Sequence, residues 1–125
     1  MTMEEFVYFE KMPEMLSVYM ALRNQLEQRY ADDFSVKVTK TQISFRNRYV
    51  FAMASLPYRK IKGWPKEYLL VSFGLSYKKE ALRIAQCVEA YPNRWTHHVL
   101  IQNEAEIDDE LMGWIDEAFQ FSAVK

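Results

Sequence analysis

Hydrophobic residues recur at helical spacing between residues 13 and 30. They are Met15, Tyr19, Leu22, Leu26 and Tyr30. Steps of three and four residues place them on one side of a helix, and Pro13 is well tolerated in a first helical turn. The pattern predicts an amphipathic helix over 13–30. Before it, Thr2 and Glu5 fit a helix-capping box, whereas the run from Phe6 to Phe9 fits an extended segment, so both structures stay open there.

The spacing of apolar residues changes to two after this helix. Apolar and polar residues alternate over 34–39 and again over 40–46, which predicts two strands with one buried face. Residues 46–48, Arg-Asn-Arg, predict a hairpin turn, because Asn tolerates a left-handed backbone conformation. The return strand is predicted over 49–56 and ends at Pro57.

The second half of the chain contains further strands and less regular segments. Residues 58–66 combine Gly, Pro and four cations and predict a basic loop. Residues 68–75 are almost all apolar, which predicts a strand that is central or buried on both faces. A short helix at 78–84 and a strand at 85–91 both fit the pattern that follows. Residues 95–102 are rich in β-branched and aromatic side chains and predict a strand.

The C-terminal residues predict a second amphipathic helix. Asp108 suits the N-cap, and the acidic residues after it interact favourably with the positive end of the helix dipole. The core-facing side would consist of Leu111, Trp114, Ile115, Ala118 and Ser122. Together these elements predict one α+β domain over residues 1–125, an antiparallel sheet of about five or six strands flanked by an N-terminal and a C-terminal helix.

Charge is strongly sorted along the chain, although the net charge is only −1. Residues 34–66 contain eight Lys and Arg residues and no Asp or Glu. Residues 1–33 carry a net charge of −4, and residues 103–125 carry −6. Such segregation favours an anionic partner for the basic segment, or its docking against the acidic ends of the same chain.

Four polar residues fall on one face of the predicted strand 40–46. Successive side chains of a strand alternate between faces, so Lys40, Gln42, Ser44 and Arg46 lie together. Two cations and two neutral hydrogen-bonding groups suit an anion, which the cations attract and the neutral groups orient. The same pattern fits a solvated sheet face whose cations prevent edge-to-edge aggregation.

Arg94 and two adjacent histidines form a second group of candidates. Imidazole is a common metal ligand, but neighbours on a regular strand point to opposite faces, so His97 and His98 do not share one cation. His97 is predicted to lie in the core. His98 shares its face with Thr96 and Gln102 and is predicted as a hydrogen-bonding residue. The predicted ligand-binding residues are therefore Lys40, Gln42, Ser44, Arg46, Arg94 and His98.

The sequence contains none of the short motifs typical of common enzyme classes. GxSxG, HExxH, CxxC and phosphate-binding glycine loops are absent. The acidic run at 104–110 lacks EF-hand spacing and fits a helix N-terminus, so we expect no metal site and no cofactor. Cys87 is the only cysteine, which excludes an intrachain disulfide. An acidic N-terminus and the lack of a long apolar run disfavour export and membrane insertion and predict a cytoplasmic location.

Three motifs occur in order along the chain. They are Lys40-Thr41-Gln42-Ile43-Ser44-Phe45-Arg46 with Phe51-Ala52, then Arg94-Trp95-Thr96-His97-His98-Val99, then Asp108-Asp109-Glu110-Leu111 with Trp114-Ile115 and Ala118-Phe119. Over roughly residues 13–122 they resemble the bacterial family known as domain of unknown function 5655. The resemblance implies a cytoplasmic bacterial module, alone or appended to other domains, with no assigned activity. The family's recurrent polar positions map onto Lys40, Ser44, Arg94 and His98, which marks them as candidates without assigning a role.

Three functions are compatible with these patterns. The basic strip favours a non-enzymatic module that binds an anionic small molecule or an acidic segment of a protein partner. The basic and aromatic residues of 58–66 also fit a nucleic-acid accessory module, through phosphate contacts and base stacking. The third function is a hydrolase or transferase with His98 as general base and Arg94 as electrostatic stabiliser. No membrane partner is expected, and the surplus of aromatic residues is compatible with a homodimer.

Overall fold

Six strands form one antiparallel sheet in the computed structural model, which describes residues 1–125. They are β1 Ser35–Val38, β2 Ile43–Arg46, β3 Val50–Ser55, β4 Leu69–Leu75, β5 Ile84–Tyr91 and β6 Arg94–Ile101. Their spatial order is β1-β2-β3-β4-β6-β5, so β6 pairs with β4 and β5 lies at the edge. The predicted α+β class is confirmed, with N-terminal helices and a C-terminal helix packed on the sheet.

Three α-helices accompany the sheet. They are α1 Met3–Tyr8, α2 Leu16–Tyr30 and α3 Asp109–Val124, with 3-10 turns at Phe9–Lys11, Pro13–Met15 and Glu104–Glu106. Thr2 and Glu5 form the capping box, so the helical alternative for the N-terminus is correct. Asp108 caps α3 as predicted, accepting a hydrogen bond from the Leu111 N–H at 3.0 Å. None of these helices is long and apolar enough to cross a membrane.

The helices pack on one face of the sheet, which is the core face. Phe45, Ala52 and Phe73 are neighbours across β2, β3 and β4 and therefore point to the same side. Tyr19 of α2 lies 6.3 Å from Phe45 between ring centroids, and Trp114 of α3 lies 5.9 Å from Phe73. A cluster of 25 buried apolar residues joins helices and strands. The opposite face carries no helix and is called the open face below.

A buried ion pair fastens α1 to α2. Glu5 is fully buried, and its carboxylate accepts hydrogen bonds from Arg23 Nε at 2.6 Å and from the Tyr19 hydroxyl at 2.5 Å. Burial alone raises the pKa of Glu5, but the hydrogen bonds from Arg23, Tyr19 and the Thr2 backbone outweigh it and lower the pKa to about 2. The charged pair therefore fixes the N-terminal segment on the core.

The predicted strand 40–46 is shorter than expected, because its first residues form a tight turn. The Thr39 N–H donates to the Gln42 carbonyl oxygen at 2.9 Å. The Thr39 hydroxyl oxygen also accepts from the N–H groups of Thr41 and Gln42, at 3.4 and 3.2 Å. A Thr side chain that binds the backbone two and three residues ahead stabilises a turn against a strand. Lys40 therefore lies at a hairpin tip, and β2 begins at Ile43.

Two further details of the turns differ from the sequence prediction. Asn47 does not adopt the left-handed conformation expected for the β2-β3 turn; its side chain instead binds α3, donating to the Phe119 carbonyl oxygen at 2.9 Å. The left-handed Asn lies in the β5-β6 turn, where Asn93 has a φ of 61°. For the residues before this turn, the sequence allowed a short helix at 78–84 and a strand at 85–91. Residues 78–83 are irregular, and the strand β5 begins at Ile84.

Candidate functional site

A row of neighbouring side chains crosses all six strands on the open face. From β1 to the β5 edge it consists of Lys37, Ser44, Met53, Ser72, His98 and Gln86. Ser44 and Ser72 are buried and His98 is half-buried, although they point away from the helices. The middle of the row is covered by the loop between β3 and β4.

This loop, residues 56–68, and the open face enclose a groove of about 610 Å³, the sheet-loop groove. On the sheet side it is lined by Gln42, Met53, Ser72, Gln86 and His98, on the loop side by Tyr58, Arg59, Ile61 and Trp64, and also by Lys11 and Lys40. Small-molecule sites usually have volumes of about 300–1,000 Å³. The groove is therefore large enough for a metabolite-sized ligand.

Tyr8 connects the two segments that border the sheet-loop groove. Its hydroxyl donates to the Thr41 carbonyl oxygen at 3.0 Å and accepts from the Leu56 N–H at 3.2 Å. Thr41 belongs to the β1-β2 turn, and Leu56 begins the loop. The Lys11 ammonium donates to the Lys40 carbonyl oxygen at 3.3 Å and lies 4.3 Å from the centre of the Tyr8 ring. The N-terminal segment therefore brings Lys11 to the hairpin tip that carries Lys40.

The loop reverses direction at Gly63. The Trp64 N–H donates to the Ile61 carbonyl oxygen at 3.0 Å, and Gly63 between them has a φ of +86°. This turn requires a conformation that residues with a Cβ rarely adopt. Trp64 then packs edge-on against Tyr68, with ring centroids 5.8 Å apart. The turn thus positions an indole ring in the groove wall.

Ser72 and His98 form a hydrogen-bonded pair in the groove. Their Oγ and Nδ1 atoms are 2.7 Å apart across the β4-β6 ladder. Burial lowers the pKa of His98, and the adjacent His97 lowers it further. The imidazole is therefore neutral at pH 7, and its Nε2 atom makes no hydrogen bond within the protein. One ring nitrogen is thus available to a ligand.

His97 lies on the core face, as strand alternation predicts. It is fully buried, its ring stacks on Phe73 with centroids 5.0 Å apart, and its Nε2 accepts from the Lys79 N–H at 2.9 Å. Burial lowers the pKa of His97 and keeps it neutral. Because His97 and His98 point to opposite faces, they do not converge on one metal ion.

The lining of the sheet-loop groove contains three cations and no Asp or Glu. Lys11, Lys40 and Arg59 form no ion pair, and neither does any other Lys or Arg within residues 34–66. Acidic residues of the C-terminal segment pair with Arg29, Lys79 and Arg83 instead. The basic segment is therefore not neutralised by ion pairs with the acidic ends of the chain.

Residues 6–122 match a family model described as Domain of unknown function (DUF5655). The chain belongs to this family. The matched range begins within α1 and includes the 3-10 turn after it, so it contains the buried core residues Tyr8 and Phe9. No curated protein and no solved structure matches the chain.

This DUF5655 chain brings three of the six predicted site residues together. Lys40, Gln42 and His98 line the sheet-loop groove. Ser44 is buried beside them, and its Oγ accepts a hydrogen bond from the Gln42 side-chain amide at 3.2 Å. Lys40 lies in a turn and not in a strand. Its proximity to Gln42 therefore results from the turn and not from the alternation of side chains along a strand.

Arg46 and Arg94 lie outside the sheet-loop groove of this DUF5655 chain. Arg46 is exposed at the far end of β2 from the Lys40 turn. Arg94 begins β6, four residues before His98, which corresponds to about 13 Å along a strand. Its guanidinium lies over the ring of Phe121, 5.0 Å from the centroid. The predicted strip is therefore divided, and Arg94 does not accompany His98 as an electrostatic stabiliser.

Four polar or charged groove residues that matter for the site were not among the predicted ligand-binding residues of this DUF5655 chain. They are Lys11, Arg59, Ser72 and Gln86. Ser72 had a local signal, since it is a hydroxyl residue within the apolar run 68–75. Lys11 had none, because its proximity to the site depends on the N-terminal turn. Arg59 was predicted only as part of the basic loop 58–66, and the path of that loop brings it to the groove.

Proposed function

We propose that this domain is a non-enzymatic module that binds an anionic small molecule in the sheet-loop groove. The supporting observation is the set of three cations, Lys11, Lys40 and Arg59, which have no ion-pair partner and line a concave cavity without any carboxylate. Unpaired cations attract an anion, and the walls of a groove reduce the solvent screening of that attraction.

The neutral residues of the groove indicate what the rest of the ligand looks like. Gln42, Gln86 and the free Nε2 of His98 offer both donors and acceptors. Trp64 and Tyr58 present aromatic surfaces suited to a flat ring. A phosphate or carboxylate attached to a planar polar ring, as in a nucleoside monophosphate, satisfies both sets of groups. A groove of about 610 Å³ fits such a molecule better than an extended acidic segment of a partner.

Neutralising Arg59 is expected to weaken binding of such an anion by about tenfold or more. The loss corresponds to ~1.4 kcal/mol, at the lower end of what a hydrogen bond to a charged group contributes. Nucleoside monophosphates, citrate and inorganic phosphate would first be screened by thermal shift, and the best binder would be titrated by calorimetry against Arg59→Gln and Lys40→Gln.

Arg46→Gln is the matched control for this titration. It removes the same unit of charge from an exposed residue of the same basic segment that does not line the groove. We expect its dissociation constant to stay within twofold of the unmodified protein. The proposal is wrong if none of the anions binds, or if Arg46→Gln weakens binding as much as Arg59→Gln does.

A second candidate function, nucleic-acid binding, is supported by the outer side of the same loop. Arg59, Lys60, Lys62 and Lys66 line an adjoining depression that shares Tyr58, Arg59 and Trp64 with the sheet-loop groove, and Tyr58 is 88% exposed. Phosphate contacts would make the affinity for single-stranded oligonucleotides fall steeply with salt. Fluorescence polarisation with a labelled oligonucleotide between 50 and 200 mM salt, roughly the range over which such contacts weaken, tests this function, and the absence of binding at the lower salt concentration rejects it.

The Ser72–His98 pair alone does not favour a hydrolase over a binding module. Ser72 is only 3% exposed, and no carboxylate affects the pKa of His98. A serine nucleophile normally requires access to substrate and a histidine that a third group orients. Within the proposed function, His98 is a ligand-binding residue that Ser72 holds in one orientation.

A further inference from the structure

A second cavity, of about 500 Å³, lies beside Gly74 at the other end of the open face. Gly74 is paired with Thr96 in the β4-β6 ladder and points to the same side as Ser72. We call it the Gly74 cavity. It shares one lining residue, Met53, with the sheet-loop groove. Its remaining lining includes Tyr49, Tyr91 and Phe121 and is mainly apolar.

The missing side chain of Gly74 leaves this space open. A Cβ atom at this position would meet only the Trp95 carbonyl oxygen, at 4.0 Å, which is an ordinary contact. The backbone of Gly74 does not have a positive φ, so its conformation is open to other residues. Neither a turn nor close packing within the protein explains a glycine at this position, the last but one of β4. Because Gly74 has no side chain, the space over the sheet at this position is empty.

Two cations border the Gly74 cavity, and no Asp or Glu lines it. The Arg94 guanidinium carbon and the Lys125 ammonium lie 5.0 and 5.2 Å from the centre of the same Phe121 ring. Neither cation forms an ion pair. Burial lowers the pKa of Lys125, and the neighbouring Arg94 lowers it further. Two cations near one ring, with no Asp or Glu side chain beside them, attract an anion.

We propose that the Gly74 cavity binds a small carboxylate with an apolar, preferably aromatic, body. The body occupies the space over Gly74, between Met53 and Tyr91, and the carboxylate binds Arg94 and Lys125. Arg suits this role, because its planar guanidinium matches a carboxylate with two parallel hydrogen bonds. The cavity differs from the sheet-loop groove in its residues and in its ligand, which here has a single charge on a hydrophobic body.

Nuclear magnetic resonance observes this site directly. The chain has only three glycines, Gly63, Gly74 and Gly113, and the loss of one amide signal in Gly74→Val assigns the Gly74 resonance. On titration with 2-naphthoate, we expect a saturable shift of the Gly74 signal and none at Gly113, which lies exposed in α3. The uncharged 2-naphthalenemethanol should bind at least tenfold more weakly.

Gly74→Val is the decisive variant, because its side chain projects into the cavity over the sheet and valine is favoured in strands. We expect it to abolish 2-naphthoate binding, measured by the quenching of tryptophan fluorescence, whereas Gly113→Ala retains it. Arg94→Gln should weaken binding at least tenfold, and Arg59→Gln should leave it within twofold, which separates this site from the sheet-loop groove.

The proposal is overturned if neither 2-naphthoate nor decanoate shifts the Gly74 signal, or if Gly74→Val binds as tightly as the unmodified protein. It is also overturned if Arg94→Gln binds both naphthalene compounds without change. Circular dichroism establishes whether Gly74→Val is folded. If it is not folded, Gly74→Ala assigns the Gly74 signal, and the titration of the unmodified protein and of Arg94→Gln decides the outcome by the same criteria.

Discussion

Replacing Glu5 with glutamine is expected to reduce the free energy of unfolding by about 3 kcal/mol, at the lower end of the cost of breaking a buried ion pair. The substitution leaves Arg23, which is only 8% exposed, without its buried carboxylate. Urea unfolding followed by circular dichroism measures the change. Glu4→Gln is the matched control, since Glu4 is the exposed neighbour in α1, and we expect it to change stability by no more than about 0.5 kcal/mol.

The same pair predicts how stability depends on pH. The pKa of Glu5 is about 2 in the folded protein and near its ordinary value of 4.5 in the unfolded chain. The unfolded state therefore binds a proton first, so the stability that Glu5 contributes is complete above pH 4.5 and is lost as the pH falls towards 2. Glu5→Gln should lack this part of the acid dependence. Equal acid sensitivity in the two proteins, or equal stability of Glu5→Gln and Glu4→Gln at pH 7, would contradict the buried pair.

Tyr8→Phe is expected to reduce stability by about 1–3 kcal/mol, because the buried Leu56 N–H loses its acceptor. The same change removes the hydrogen bond to the Thr41 carbonyl oxygen. The Lys40 turn and the loop that carries Arg59 then lose their common anchor, so we also expect anion binding in the sheet-loop groove to weaken by about tenfold. Urea unfolding and the calorimetric titration measure the two effects.

Tyr91→Phe is the control for this substitution. Tyr91 is 72% exposed, its hydroxyl makes no hydrogen bond, and it does not line the sheet-loop groove. Its removal should change stability by less than about 0.5 kcal/mol and leave anion binding unaltered. If Tyr8→Phe binds the anion normally, the Tyr8 hydroxyl does not organise the groove.

The sequence predicted the sheet well because its strands have one buried face. Alternation and apolar runs identified β1 to β4 and β6 within a few residues, and the caps at Thr2 and Asp108 were visible from residue type alone. The turn at Lys40 was not predicted. The hydroxyl of Thr39 stabilises it through hydrogen bonds to the next residues, and these do not interrupt the alternation of apolar positions.

The sheet-loop groove was only partly predictable, because its residues meet through long-range pairing. His98 was predicted as a hydrogen-bonding residue on the face of Thr96 and Gln102, but its partner Ser72 depends on the register of β4 against β6, which no local pattern specifies. The path of the loop 56–68 decides that Arg59 lines the groove and that Arg46 does not. Glu and Arg side chains are usually exposed, so their residue types do not predict that Glu5 and Arg23 are buried. Their burial results from the packing of α1 against α2.

Anomalous X-ray diffraction can locate a bound oxyanion and thereby show whether the sheet-loop groove is an anion site. Crystals would be soaked in tungstate, a heavy dianion that mimics phosphate, for the unmodified protein and for Arg59→Gln. We predict the principal anomalous peak in the sheet-loop groove, within hydrogen-bonding distance of Arg59 and Lys40, and its loss in the variant. A principal peak at Arg46 or Arg94, or a groove peak that persists unchanged in Arg59→Gln, would contradict the proposed anion site.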